Sequence, residues 1–400
     1  MNEIYKIPYF VIIILCSAIT VKPKIEIIHL ILPLLIFFVF YKNEDTKYTT
    51  TIGLTLFLIC GTRKSIMIMN NPLSELGDLN TYIEAIKQGM DFPISMLFYK
   101  LFAYGFGEVN GLKILINILF LSICSLYMLY AYKNNNQFIF TLTPVLILCD
   151  PAFDYVMKGM IRNLIGLTII TGYLTLSNKT KIHRMLISVL LSFTHLMSLT
   201  WYLCIQITEG IININKKIIY SFIPIIISIP ILICLGTKSG LLNASIDRWI
   251  RFSFYMFFYS KTKFKYFKFD FANLSLWPIA LLSMIGLLTI KFIEQKNKKI
   301  LLWILMLLIP FFPLMKNVYS WRLIYISCIP LLNSLNEINF TLMDKRIITS
   351  YAFLNINSPH ITISQIIMRI LNPNLSLIIN IIFVFLFHIN LFLPKKVFLT

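Results

Sequence analysis

Three features of the sequence predict an all-α, polytopic membrane fold. Of 400 residues, 58% are hydrophobic and only 13% charged, and the mean hydropathy of +0.79 lies far outside the soluble globular range. Apolar runs long enough to cross a hydrocarbon core of ~30 Å recur from end to end, as at 112–132, 185–207, 218–235, 274–290 and 376–393. Basic residues collect in short linkers between the runs, at 42–47, 133–137, 179–184, 213–217 and 291–299, the pattern of cytoplasmic connections. About eleven to thirteen spans follow, in a single membrane domain over residues 1–400.

The elements can be assigned in order. The run 7–21 follows Lys6 as a signal peptide would, but 27–41 succeeds it with no cleavage site between them, so a retained helix is expected. From a cytoplasmic start, spans at 7–21, 27–41, 49–62, 111–132, 138–150 and 160–176 keep the first three basic linkers inside. They leave 63–110 and 151–159 outside. The stretch 185–208 is long enough for one crossing, yet one crossing would strand Lys216 and Lys217 outside. Two half-membrane segments that turn near His195 return every short basic linker to the cytoplasm. Non-helical backbone at that depth is tolerated only where protein or a water-filled cavity surrounds it, so the turn implies a cavity. The same parity places 237–271 outside as the largest loop of the second half. That loop carries seven Lys or Arg against Asp247 and Asp270, contrary to the positive-inside trend. Either the parity is inverted there or the charge is kept for an anionic ligand.

A net charge of +19 has the sign of a nucleic-acid protein, but its cations are scattered between apolar runs, and no nucleic-acid partner is expected. Orientation in the membrane accounts for much of the excess, and an anionic ligand for the rest. All seven cysteines lie within or at the edge of apolar runs, with no CxxC spacing, and read as small hydrophobes. The chain has no Walker-type loop, no HExxH, no GxSxG and no DxD pair, so neither a metal nor a cofactor is expected.

On this topology Asp78, Asp154, Lys158, Arg162, His195, Arg248, Arg251 and Arg322 all fall on the external side of the membrane, and that convergence is the main functional signal. Asp154, Lys158 and Arg162 are spaced by four, one stripe of a helix, with Gly166 next along it. Arg162 at the mouth of an apolar run is either a snorkelling interfacial residue or a ligand-binding one. His195, in LSFTHLMSL, is a hydrogen-bonded core histidine or a proton-transfer group. Arg322 lies among Tyr319, Trp321 and Tyr325, as an aromatic belt would also have it. Asp78 precedes an amphipathic pattern and doubles as an N-cap. Arg248 and Arg251 open the 237–271 loop, which interleaves aromatics with lysines and suits an interfacial segment.

Taken in order, GDLNTYIEAIKQGM, KGMIRNLIGLTIITGYLTL, a short basic linker, LSFTHLMSLTWYL and, much later, SWRLIYI resemble the EpsG-like branch of the Wzy-type polysaccharide polymerases. An Asp-and-Tyr segment, an arginine-led helix and a histidine turn recur there in this order. The resemblance covers about residues 60–335. Two departures stand out: Gly166 occupies a place where the family often has alanine, and His195 is followed by Leu-Met-Ser where a shorter step to serine is usual.

The resemblance implies an inverting, metal-independent glycosyltransferase of the GT-C type in the bacterial inner membrane, with its active site facing the periplasm. It would join undecaprenyl-pyrophosphate-linked oligosaccharide repeat units into O-antigen or capsule, among membrane lipid and with a chain-length regulator as a partner. Arg162 would then bind the pyrophosphate leaving group, with Arg322, Lys158, Arg248 and Arg251 as further phosphate ligands, and His195 or Asp78 would take the acceptor proton. The chemistry is consistent on its own terms. Charge develops on a pyrophosphate leaving group, and fixed guanidinium groups stabilise it without a metal. A lipid-linked oligosaccharide flippase and an O-antigen ligase are the alternatives. A flippase is expected to show two similar halves, which this sequence lacks; a ligase differs only in its acceptor.

Overall fold

The computed structural model describes residues 46–71, 79–88, 91–149, 160–176, 179–195, most of 198–208, 276–308, 328–341 and a few positions between 344 and 371. Every regular element among the described residues is an α-helix. Ten are named here in chain order: α1 Thr46–Asn70, α2 Leu79–Gln88, α3 Pro93–Phe106, α4 Glu108–Lys133, α5 Gln137–Leu148, α6 Ile161–Thr175, α7 Lys181–Ser192, α8 Leu276–Gln295, α9 Lys298–Leu308 and α10 Cys328–Asn336. Two stretches, Thr49–Asn70 in α1 and Glu108–Lys133, are long and apolar enough to cross a membrane.

Helix α4 is the hub, packing on α1, α2, α3, α5 and α6. Its ends are written into the sequence. Gly107 precedes it at φ 81°, a conformation open to glycine, Glu108 sits at its positive end and Lys133 at its negative one. Gly111 is required by contact, since a Cβ there would run into the Phe102 backbone of α3. The run Asn134–Asn136 makes the next connection. Asn135 takes φ 55°, and the Asn136 side chain accepts from the Ile139 N–H at 3.1 Å as the N-cap of α5.

Two lysines of α4, Lys113 buried and Lys133 exposed, serve helix ends. Lys113 Nζ donates to the carbonyls of Met69 and Asn71, both at 2.9 Å, and so closes the C-terminus of α1. Lys133 Nζ does the same for α6 through the Thr175 carbonyl at 2.6 Å. Helix α1 runs to Asn70, past the expected end at 62.

Helices α8, α9 and α10 pack in sequence, and α10 joins them to α5. Asn136 Nδ2 donates to the Leu335 carbonyl at 3.2 Å, and the Phe138 and Phe340 rings meet edge-on at 5.9 Å.

Candidate functional site

Four segments meet where α3 begins. Helix α7 is 12 residues long, about 18 Å at 1.5 Å per residue, well short of a ~30 Å hydrocarbon core. It opens with a capping box, in which Thr180 Oγ1 accepts from the His183 N–H and His183 Nδ1 accepts from the Thr180 N–H. It ends in a turn at Phe193–His195, and helical residues resume at Ser198. The chain then doubles back. Tyr202 Oη donates to the Arg184 carbonyl at 3.4 Å, although a continuous helix would hold residues 18 apart about 27 Å from one another. The chain thus reverses near His195.

The turn is fastened to the N-terminus of α3. Ile94 N–H donates to the Phe193 carbonyl at 3.2 Å, Ser95 Oγ donates to the Thr194 carbonyl at 3.0 Å, and the Phe92 ring meets the His195 ring edge-on at 5.8 Å. One residue earlier, Asp91 Oδ1 accepts from its neighbour's N–H, that of Phe92, at 2.7 Å and from Arg162 Nη1 at 3.3 Å. The side chains of this pair are 4% and 19% exposed, Asp91 the deeper. The Arg162 guanidinium also lies over the Tyr82 ring of α2, 5.3 Å from its centroid, and Tyr82 packs on Tyr99 at 5.3 Å. Adjacent residues 91 and 92 thus touch, respectively, the arginine and the histidine that the sequence singles out.

Arg162 is in the first turn of α6, which starts at Ile161 after Met160. The expected stripe of 154, 158 and 162 is therefore not carried by α6 as one helix. Asp78, Lys158, Arg248, Arg251 and Arg322 lie outside the described residues. So do Asp154 and the 237–271 loop. Asp91 was not anticipated as a site residue; in KQGMDFPIS it looks like ordinary punctuation before Pro93, the first residue of α3. Its only sequence signal was an acid beside an aromatic at a helix start.

Two features make the place suited to a ligand. His195 Nδ1 is buried with no hydrogen-bond partner among the described residues, as is Asn163 Oδ1 one residue after the arginine, a state shared elsewhere by atoms such as Asn117 Oδ1 and Arg184 Nε. Arg162 meets its carboxylate through one nitrogen, Nη1, at 3.3 Å, whereas a guanidinium can bind an oxyanion with two parallel N–H groups. Below, Gly166 faces Ser198 so closely that a Cβ at 166 would overlap its side chain. That contact packs the returning segment against α6.

The described residues hold no group of three His, Cys, Asp or Glu arranged for a metal ion. No family model, no curated protein and no solved structure matches the chain.

Proposed function

We propose that this chain is a polytopic inner-membrane polysaccharide polymerase of GT-C type. It would join undecaprenyl-pyrophosphate-linked oligosaccharide units, with Arg162 on the pyrophosphate of the donor and His195 taking the proton of the acceptor hydroxyl. The observation that carries this reading is the joint placement of Arg162 and His195 on residues 91 and 92, from segments far apart in sequence. An oxyanion ligand and a proton acceptor side by side are what glycosyl transfer from a phosphate leaving group needs. The orphaned imidazole nitrogen supplies the acceptor. A further support comes from the two departures from the resembled pattern, which lie in contact with each other. A glycine at 166 makes room for the serine that the longer step after His195 delivers at 198.

The experiment is elongation of purified lipid-linked repeat units by the purified protein. Arg162→Ala should cut the rate more than about a hundredfold, corresponding to ~3 kcal/mol for one lost charge-assisted contact. It also strands the Asp91 carboxylate, so abundance should fall as well. Arg162→Lys keeps a cation beside Asp91 and removes only the fork. Its abundance should be normal and its rate lower by about tenfold or more. Wild-type elongation by Arg162→Lys would make Arg162 an interfacial anchor and remove this reading.

A further inference from the structure

The Asp91–Arg162 pair poses a difficulty for any anion-binding role. A guanidinium meant for a diphosphate already has a buried, hydrogen-bonded carboxylate against it. Asp91 is held by the Phe92 N–H at 2.7 Å as well as by Arg162, at the N-terminus of α3, where the helix dipole favours negative charge. Its side chain is buried, at 4% exposure. An anion approaching the remaining edge of Arg162 therefore meets a pair of net charge near zero.

We propose that Asp91 is a positioning residue that sets the anion affinity of this site: it aims the Arg162 guanidinium and opposes tight retention of a diphosphate, so that the group can depart after transfer. The inference rests on the reading of Arg162 as a pyrophosphate ligand. Its physical basis is that only interactions stronger in the transition state than in the bound ground state raise turnover. A fixed carboxylate subtracts nearly equally from every anionic state. Charge that develops on the leaving oxygen still gains from the guanidinium, while the fully formed product anion is not trapped. Asp91 engages the guanidinium through Nη1 alone, and the Tyr82 side chain hydrogen-bonds it as well.

The sign of the expected effect separates this role from a merely structural one. Removing the charge of Asp91 should tighten anion binding, whereas losing a structural buttress would loosen it. The measurement is equilibrium dialysis of radiolabelled inorganic pyrophosphate against the detergent-solubilised full-length protein, with elongation kinetics in parallel. Asp91→Asn, and Asp91→Ser, which keeps an acceptor for the Phe92 N–H, should each bind pyrophosphate at least about tenfold more tightly than wild type, as Coulomb interaction at an effective dielectric near 20 requires. Both should lower KM and kcat together, with product release slowed. Asp91→Glu should stay near wild type in affinity. The double variant Arg162→Gln/Asp91→Asn, which leaves no unpaired charge, should lose pyrophosphate binding. If the double variant binds as wild type does, the reading of Arg162 itself falls. If it loses binding while Asp91→Asn and Asp91→Ser bind no more tightly than wild type, or if neither neutral variant accumulates while Asp91→Glu does, Asp91 is a structural counter-ion and the proposal is overturned.

Discussion

Arginine and lysine carry the same charge in different shapes, and position 322 separates two uses of it. Under the proposed function, Arg322→Lys should damage elongation nearly as much as Arg322→Ala at normal abundance, because the point charge lacks the planar fork. Lysine restoring most of the rate would make Arg322 an electrostatic or interfacial anchor. At Arg162 and His195 the local sequence drew attention because each breaks an apolar run, and a polar residue inside one is conspicuous in any window. Asp91 was hidden for the opposite reason. It stands beside Gly89 and Pro93 in a turn-like context, and what makes it special is a partner 71 residues away. Periodicity reports what a residue is next to along its own helix; it carries nothing about which helix lies opposite.

At the scale of elements, the close approach of Gly166 and Ser198 is open to a direct test. Gly166→Ala forces a Cβ into the Ser198 side chain and should destabilise the protein by about 1–3 kcal/mol, the usual cost of overpacking. Ser198→Ala would not relieve it, because the clash includes the Ser198 Cβ as well as Oγ. Ser198→Gly should, so thermal unfolding in detergent ought to show recovery in Gly166→Ala/Ser198→Gly. Failure of the double variant to recover would mean that the returning segment does not pack there. A second element contact links stability to pH. Lys291 reaches Asp344 at 2.9 Å from the end of α8 and also meets Glu294. Burial alone would raise the Asp344 pKa, but the Lys291 bond and the Thr341 donors more than offset it, and the carboxyl is held below its usual range. Hydrogen bonds to Glu294 and then Asp344 hold Lys291 above its usual value. A depressed acid stabilises the fold above its unfolded pKa of roughly 4, and a raised base does so below its unfolded pKa of roughly 10.5. The contribution is thus complete between those limits and fades outside them. The difference in melting temperature between wild type and Asp344→Asn should be largest near neutrality and shrink as the medium is acidified through the carboxylate range.

For the molecule as a whole, the apolar runs at 111–132, 138–150 and 160–176 become helices at 108–133, 137–148 and 161–175. Their ends were legible because asparagine, glycine and lysine punctuate them. The segment 63–110 was less so: the amphipathic pattern after Asp78 becomes α2, but α3 is nearly apolar and shorter than a span, and only its docking on α4 and on the 193–195 turn explains it. Under the proposed membrane placement, sidedness rests on the basic linkers alone and is tested by labelling. A cysteine introduced as Ser260→Cys should react with an impermeant maleimide added to intact cells, and Asn297→Cys should be protected. The reverse pattern would invert the topology and part the external loop from the site.

The hydrogen bond from Ser95 to the Thr194 carbonyl joins residues 99 apart, and it fixes an order in time. At about 5–20 residues per second, the α3 end of the clamp is made some 5–20 s before the turn it receives. Under the proposed membrane placement, a short helix that turns at 193–195 cannot rest in lipid with its turn backbone bare, so the newly made turn has to find α3 already in place. Any change that delays the insertion of α3 should therefore expose that turn to membrane quality-control proteases during synthesis, even where the finished protein, once assembled, would be stable.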